Sequence, residues 1–428
     1  MPKLSLPQLR PNQLAIIFGV VGAVVVLAFV FVLFRKPSTN VGVPVSLTVW
    51  GTEPFEAMKP ALEAYQGIRP NVTPTYRELD PLVYRDTLLD ALASGQGPDI
   101  FVIESTDVGE MKGKISPAPA SLSPALVQST FPKAVESDVI DAGQVYGLPL
   151  SLDTLALLYN RDLLDGGGIV SPPATWEEVV AAVPRLAAID DQNQVQRAAI
   201  ALGGTSSSIR EAGDIFSLLM LQNGTPLSNP AHNLVTLGAP AESALRFYAQ
   251  FANPGSAAYT WNDELGDSYR QLADGKVAMI VAYPSAVAAV KALNPFADVR
   301  IAPVPQAQSG TPRSFGAYPL MTVSRQSANA TWAWDLVQTM TTNKTVMAAY
   351  AQATGRAAAL SGVIADQVES DATRVQGTQA LQARSWFQHS GARVRAEFDR
   401  AITDVVSGSL TVTRATQSLE TRLRALIR

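Results

Sequence analysis

The stretch YRDTLLDALASGQGPDIFVI, residues 84–103, passes from an amphipathic helix through a glycine-rich turn into a short apolar strand. Apolar residues recur at helical spacing over 84–93, and the two glycines that follow are typical of a helix C-terminus. The continuous apolar run over 99–103 is typical of a strand buried in a parallel sheet. We therefore expect a helix, a turn capped by Asp99, and a buried strand.

The same alternation of strand and helix precedes this stretch. Residues 45–50 alternate between apolar and polar side chains and are rich in β-branched residues, which predicts a strand. Apolar residues at helical spacing over 54–65 then predict a helix, and residues 72–76 predict a second strand. Three strands separated by two helices indicate an α/β fold with a mostly parallel sheet. Because ligands bind beyond the carboxyl ends of such strands, the segments 50–53 and 104–107 are candidate site segments.

Further elements are predicted along the rest of the chain. Thr175 and Glu178 have the spacing of a capping box, which favours a helix beginning within 172–178. The other expected helices cover 215–222, 239–251, 266–273 and 413–427, and the other expected strands cover 155–159, 277–282 and 299–304.

Composition narrows the class of protein. A chain of 428 residues is long enough for a two-lobed body, and a net charge of −4 without long runs of one sign argues against a nucleic-acid partner. The chain has no cysteine, which excludes disulfides, thiolate metal sites and a lipid anchor attached through cysteine. With only His232 and His389 as histidines, we expect no metal site and no cofactor.

The N-terminal region contains an uncharged apolar segment over 14–34. At about 1.5 Å per residue, this segment would span roughly 30 Å, which is the thickness of a bilayer core. A cleaved signal peptide is the alternative, but its apolar region would be shorter and would end at a small-x-small site. We expect an uncleaved transmembrane anchor over 14–34, a tail over 1–13 and a linker over 35–44.

Several segments resemble one protein family, in family order, over about residues 45–428. These segments are LLDALASGQGPD at 88–99, VYGLP at 145–149 with DT at 153–154, LYNRD at 158–162, PPATWEE at 172–178, GKVAM at 275–279, AWDL at 333–336 and VSG at 406–408. Together they resemble the extracellular solute-binding proteins of ABC importers, in the group typified by maltose and multiple-sugar receptors.

This resemblance implies a type II periplasmic-binding-protein-like fold with two α/β lobes, joined by hinge strands, that close over a ligand. It implies lobe one at 45–151 and 306–325, and lobe two at 154–302 and 328–428. The implied partners are a small-molecule solute and the permease subunits of an importer, and the expected state is a monomer. The charges flanking the apolar segment are nearly balanced, so the resemblance decides the orientation: a cytoplasmic N-terminus, a single membrane pass and an extracytoplasmic body.

The candidate ligand contacts are residues that follow strand ends, lie at the lobe crossing or carry aromatic rings. They are Trp50, Glu53, Glu104, Ser105, Asp153, Trp261, Tyr283, Ser285, Phe315 and Gly316. Sugar receptors of this group usually carry a tryptophan where Ser285 stands and often an aromatic residue where Ile103 stands. A carbohydrate is therefore one possible solute among others.

Two other functions are compatible with the sequence. A sensor or scaffold could keep the same fold and serve a different membrane partner. A glycoside-acting enzyme would need two carboxylates about 5–9.5 Å apart, for which Glu53, Glu104 and Asp153 are the candidates. The sequence has no Gly-x-Ser-x-Gly motif and no phosphate-binding loop, so we expect a binding protein without catalytic residues.

Overall fold

A computed structural model of the chain describes residues 42–229, 232, 235–308 and 310–427. The expected anchor over 14–34 and the tail before it lie outside these residues, as does most of the linker. In the part of the chain that is described, no helix combines the length and the apolar character needed to cross a bilayer.

One five-stranded sheet has the strand order β2-β1-β3-β13-β6. β1 is parallel to β2 and β3, whereas β13 is antiparallel to β3 and β6. All three strands predicted at the start of the body are present within two residues of their expected bounds. The strands are β1 (Val45–Gly51), β2 (Val72–Glu78), β3 (Ile100–Glu104), β6 (Leu148–Pro149) and β13 (Pro319–Val323).

A second five-stranded sheet has the strand order β11-β7-β10-β9-β8. Its parallel pair is β10 with β9, and its other pairs are antiparallel. The parallel pairing expected from residues 45–103 holds for β1, β2 and β3 of the first sheet. It does not extend to the second sheet, because β7 lies antiparallel between β10 and β11. The strands are β7 (Ala156–Asn160), β8 (Ala188–Ile189), β9 (Val195–Ala201), β10 (Val277–Ala282) and β11 (Val299–Pro303).

Two short ladders complete the described strands. They are β4 (Ile140–Asp141) with β5 (Gln144–Val145), and β12 (Ser314–Phe315) with β14 (Ala383–Arg384).

The helices cover both sheets. Those before residue 200 are α1 (Phe55–Ile68), α2 (Pro81–Ala93), α3 (Val108–Met111), α4 (Pro124–Thr130), α5 (Lys133–Val139), α6 (Arg161–Gly166) and α7 (Trp176–Leu186). Those after it are α8 (Ala212–Gln222), α9 (Gly238–Ala249), α10 (Ser268–Ala273), α11 (Ala286–Leu293), α12 (Ala330–Thr342), α13 (Lys344–Thr354), α14 (Ser361–Glu369), α15 (Arg374–Gln382), α16 (Gly391–Val406) and α17 (Val412–Leu426).

Two predicted local features, the helix cap at Thr175 and the turn at Asp99, are confirmed. The Oγ1 atom of Thr175 caps α7 by accepting from the amide of Glu178 at 3.2 Å, and the Glu178 carboxylate accepts from the amide of Ala174 at 2.7 Å. Asp99 accepts from the amide of Thr48 at 2.9 Å and from the hydroxyl of Ser327 at 2.5 Å. Asp99 thus holds the turn before β3 to two neighbouring segments.

The buried side chains form two hydrophobic cores, and each core surrounds one sheet. Lobe one is built on the core drawn from residues 47–152, 318–383 and 387. Lobe two is built on the core drawn from residues 155–315, 386 and 394–423. This division differs from the expected one, which gave the whole of 328–428 to lobe two.

Helices α12 and α13 pack on lobe one because their apolar faces cover α1 and its sheet. Trp334 and Tyr350 are buried there. Asp335 on α12 accepts from the hydroxyl of Tyr65 at 3.1 Å and forms an ion pair with Arg69 at 3.0 Å, both near the end of α1. The chain therefore returns to lobe one before its final two helices join lobe two.

Three segments cross between the lobes, at 152–155, 315–318 and 383–394. They are joined by backbone hydrogen bonds. The amide of Leu155 donates to the carbonyl of Phe315 at 2.9 Å, and the amide of Gly316 donates to the carbonyl of Arg384 at 3.1 Å. A side chain at position 316 would lie 3.2 Å from the carbonyl oxygen of Asp153, which favours glycine at this close approach.

Candidate functional site

Polar side chains from both lobes meet near the crossings. They lie just beyond β1, at the end of β3, in the first crossing, at the start of α8, after α13 and in the first turns of α16. We call the space that they border the cleft. Its bordering residues are Glu53, Glu104, Asp153, Asp214, Arg356 and Arg395.

Arg356 connects two of the predicted residues on lobe one. Its guanidinium lies 2.5 Å from the Glu53 carboxylate and 3.6 Å from the Asp153 carboxylate. The neighbouring Ala357 accepts from the amide of Leu152 at 3.0 Å, which fastens the arginine segment to the first crossing. Arg356 therefore holds a carboxylate from the end of β1 beside a carboxylate from the hinge.

Asp153 is the more buried of these two acids, with 6% of its surface exposed. Desolvation raises the pKa of Asp153 to about 6, the nearby Arg356 opposes this rise, and the Glu53 carboxylate adds to it. Arg356 thus compensates part of the cost of placing two carboxylates together at the hinge.

Glu104 is the last residue of β3 and has a different environment. Its side chain is open to solvent in the cleft, although protein surrounds it on most sides. Partial desolvation and the Asp107 carboxylate raise the pKa of Glu104 to about 7, and Arg395 and Arg356 oppose that rise. Within the described residues, the Glu104 carboxylate has no ion pair within 4.0 Å and no side-chain hydrogen bond.

Lobe two supplies an acid and a tyrosine to the cleft. The hydroxyl of Tyr283, just beyond β10, donates to the Asp214 carboxylate on α8 at 2.8 Å. Burial raises the pKa of Asp214, while Arg395 and the Tyr283 hydrogen bond lower it. Asp214 in turn raises the pKa of Glu104, so carboxylates of the two lobes lie within electrostatic reach of each other.

A cavity of about 300 Å³ opens at this point. Apolar side chains of α2 and β3 form one wall, and Glu104, Asp107 and Arg395 form a charged edge. Small-molecule sites in proteins span about 300–1,000 Å³ and combine apolar walls with a few placed polar groups. A second cavity, of about 350 Å³, is bordered by Arg356 and by Ser285 at the start of α11.

Of the predicted site residues, Glu104 and Ser285 line these cavities. Glu53 and Asp153 lie against Arg356, and Tyr283 lies against Asp214. Contact of all five with a ligand stays a prediction.

Trp50 lies within β1 near its end and Ser105 follows β3, but both are largely buried, with 9% and 3% of their surfaces exposed. The Arg77 guanidinium covers the ring of Trp50 at 4.6 Å.

Three predicted residues are placed elsewhere. Trp261 is fully buried in the core of lobe two, where its indole donates to the hydroxyl of Ser208 at 3.0 Å, and its contact with a ligand stays a prediction. Phe315 is also fully buried and packs in the same core. Gly316 lies in the second crossing, where its backbone pairs with Arg384 rather than facing open space.

The sequence interpretation missed Arg356 and Asp214. Arg356 follows a helix in a segment with no strand end to mark it, and Asp214 lies in the first turn of a helix where an acid is also a common dipole partner. Neither has a sequence signal beyond its residue type. Within the described residues, no group of three metal-ligating side chains is placed to hold a metal ion.

Comparison with known proteins identifies relatives of this architecture. The family model for bacterial extracellular solute-binding proteins matches residues 50–347. The maltotriose-binding protein of Pyrococcus abyssi is 24% identical over 330 residues, which is 75% of this chain and 67% of that protein. A putative binding protein of Brucella abortus is 24% identical over 291 residues, covering 66% and 67% of the two chains.

Solved structures share the fold at lower identity. The cyclic α-maltosyl-1,6-maltose-binding protein of Arthrobacter globiformis superposes with a TM-score of 0.74 at 18% identity, covering 90% of this chain and 99% of that one. The GacH receptor of Streptomyces glaucescens gives a TM-score of 0.69 at 20% identity, covering 90% and 99%. The two-lobed α/β fold expected from the sequence is confirmed, and so is the expectation of a binding protein rather than an enzyme.

Proposed function

Because the chain belongs to the family of bacterial extracellular solute-binding proteins, we propose that it captures a carbohydrate between its two lobes and delivers it to an ABC importer. The observation that carries this proposal is the arrangement of acids and arginines around the cleft. Carboxylates accept hydrogen bonds from sugar hydroxyls, and guanidinium groups donate to sugar oxygens. Relatives of the chain include a maltotriose-binding protein and a cyclic-maltosyl-maltose-binding protein.

Closure of the lobes over the solute follows from how they are connected. The crossings at 152–155, 315–318 and 383–394 are the covalent links between the two cores. Asp153 lies in the first crossing and pairs with Arg356, so a ligand held by this pair would contact the hinge directly. A few such segments can absorb the backbone rotation of a hinge.

We propose in addition that residues 14–34 hold the body at the outer face of the membrane, with residues 1–13 in the cytoplasm. The support is the uncharged apolar length of the segment and the absence of a cysteine for lipid attachment. A tether raises the effective concentration of the receptor at its permease. Membrane fractionation with N-terminal sequencing tests this: a mature chain that begins near Pro37 contradicts it.

Solute capture is tested with the soluble body, residues 42–428, in a thermal-unfolding screen against mono- and oligosaccharides, polyols and peptides. A captured solute raises the melting temperature, because ligand that binds only the folded state stabilises it by RT ln(1 + [L]/Kd). We expect at least one carbohydrate to raise the melting temperature in proportion to the logarithm of the carbohydrate concentration. A screen in which peptides act and no carbohydrate does would overturn the proposed substrate class.

A further inference from the structure

The second cavity beside the cleft, of about 350 Å³, is bordered by both lobes. Lobe two contributes α11 and the residues just before it, and lobe one contributes the segment after α13 together with α15. Among the residues that the structure describes, no carboxylate borders this cavity. Its polar border consists of Ser285, Lys291, Thr354, Arg356 and Gln376.

Lys291 brings to this cavity a positive charge that is not neutralised within the described part of the chain. The side chain is exposed, and its ammonium group has no ion pair within 4.0 Å and no hydrogen bond there. Ser285, Ala288 and Lys291 follow one another at a spacing of three, so they share one side of α11. The small side chain of Ala288 therefore leaves open space between a hydroxyl and a cation.

Arg356 borders the same cavity from lobe one, but its charge is already shared. The guanidinium pairs with Glu53 at 2.5 Å and with Asp153 at 3.6 Å, and neither of these acids borders the cavity. A guanidinium group carries five N–H donors, so these two contacts leave donors for a ligand. Arg356 thus offers hydrogen bonds to the cavity, whereas the uncompensated charge belongs to Lys291.

A ligand in this cavity would be held by side chains. The first amides of α11 already donate to the carbonyls of residues 283–285, so the start of this helix offers no free backbone site. Ammonium, guanidinium, hydroxyl and amide groups are all donors, and together they complement a negative group with several acceptor oxygens. A neutral ligand would leave the Lys291 ammonium without a counter-charge as closure of the lobes removes its water.

We propose that the captured carbohydrate is an acidic sugar whose carboxylate or phosphate group lies between Lys291 of lobe two and Arg356 of lobe one. This inference rests on the proposed capture of a carbohydrate and names its chemical class. Ser285 and Gln376 donate to the remaining oxygens of the anionic group. Because one anionic group contacts both lobes, it also favours their closed arrangement.

Lys291 has a second role that the experiment must separate from recognition. It lies in the last turn of α11, where a cation stabilises the negative end of the helix dipole. Loss of that role would lower the stability of the protein and would affect the binding of acidic and neutral sugars alike. The preference for an acidic over a neutral sugar therefore reports on recognition alone.

The experiment compares sugars that differ only at the C6 substituent. Glucose, glucuronate and glucose 6-phosphate, and the three corresponding forms of galactose, are titrated calorimetrically into wild type, Lys291→Gln, Lys291→Arg and Lys276→Gln. Lys276 is an exposed lysine just before β10, at the end of that strand opposite to Ser285, so its variant removes an equal charge away from the cavity. Melting temperatures of the ligand-free variants verify that each is folded.

We expect an acidic member of a series to bind wild type and Lys276→Gln about tenfold or more tightly than its neutral member, as a charge-assisted hydrogen bond predicts. In Lys291→Gln this preference falls to about one, and Lys291→Arg retains it because the charge is kept. Tighter binding of the uronate or of the phosphate identifies which anionic group the cavity takes.

Neutral sugars that bind wild type as tightly as the acidic ones, or a preference that survives in Lys291→Gln, overturn the inference and leave the proposed function standing. If neither these sugars nor the thermal-unfolding screen gives a carbohydrate ligand, carbohydrate capture fails and the inference fails with it.

Discussion

Glu53 and Glu104 lie at the carboxyl ends of neighbouring parallel strands of the same sheet, yet their surroundings differ. Glu53, beyond β1, is largely buried and lies 2.5 Å from the Arg356 guanidinium. Glu104, the last residue of β3, is open to the cleft, has no such partner among the described residues, and has its pKa raised to about 7. One sheet edge therefore carries one carboxylate that the protein neutralises and another that it leaves for a ligand.

The difference shows how a binding protein can divide its charged groups between stability and recognition. The Glu53 carboxylate is paired with Arg356 of the same chain, and this ion pair fixes the geometry beside the hinge. Glu104 is left without compensation, so an incoming ligand can gain free energy there. If this division is correct, substitutions at the two sites will have opposite effects on stability and on binding.

The largest effect is expected for Arg356→Gln. This change leaves the carboxylates of Glu53 and Asp153 close together without a cation, and removal of one partner of a largely buried ion pair is costly. We expect the free energy of unfolding to fall by about 3 kcal/mol at pH 7.5, measured by urea denaturation. Arg300→Gln, which removes an exposed pair with Asp298, is the control and leaves stability nearly unchanged.

The loss should shrink at low pH, because protonation of Asp153, whose pKa is raised to about 6, removes its repulsion of the Glu53 carboxylate. A variant whose stability equals that of wild type at pH 7.5 would show that Arg356 does not compensate these acids, and the comparison with Glu104 would lose its basis.

An intermediate effect is expected at Asp138, a buried carboxyl whose nearest partner is a hydroxyl. It has 1% of its surface exposed and accepts from the hydroxyl of Tyr318 at 2.6 Å. Burial raises the pKa of Asp138 to about 8, while the unfolded chain releases this proton near pH 4. The folded state thus holds the extra proton, and the contribution of Asp138 to stability falls as pH rises between these values.

Asp138→Asn removes this dependence while keeping an acceptor for Tyr318. We expect the variant to be several kcal/mol more stable than wild type at pH 8, and the difference to approach zero toward pH 4, followed by urea denaturation across that range. A difference that does not vary with pH would mean that Asp138 is ionised in the folded protein.

The smallest effects on stability distinguish the two glutamates themselves. Glu53→Gln weakens the contact with Arg356 and should lower the free energy of unfolding by about 1–2 kcal/mol. Glu104→Gln removes an unpaired carboxylate that is open to solvent and should change it by less than about 0.5 kcal/mol at pH 8, toward greater stability. Equal losses in both variants would remove the distinction between them.

Local elements of the fold were predictable, because helix caps, apolar spacing and turn residues act over short stretches. Thr175 with Glu178 and the turn at Asp99 are examples, and the strand bounds at β1, β3 and β10 agree with their apolar patterns. The location of α12 and α13 on lobe one was not predictable, since an apolar helix face does not specify which sheet it covers.

The candidate site was predictable only in part. Parallel strands place their carboxyl ends at one edge, which is why Glu53 and Glu104 could be selected from sequence. The pairing of Glu53 with Arg356 joins distant parts of the chain and leaves no local pattern. Trp261 was selected because an aromatic ring in a loop among polar residues could stack on a ligand, but its indole donates to Ser208 within the core.

The most direct test of solute capture in this cleft is a calorimetric titration of the tightest-binding carbohydrate into wild type, Arg356→Gln and Arg300→Gln, below the melting temperature of each. If the cleft holds the solute, Arg356→Gln weakens binding by at least about tenfold, because Glu53 and Asp153 lose their orientation, while Arg300→Gln binds as wild type does. Undiminished binding by folded Arg356→Gln would contradict the account, since the solute would then bind away from the residues that define the cleft.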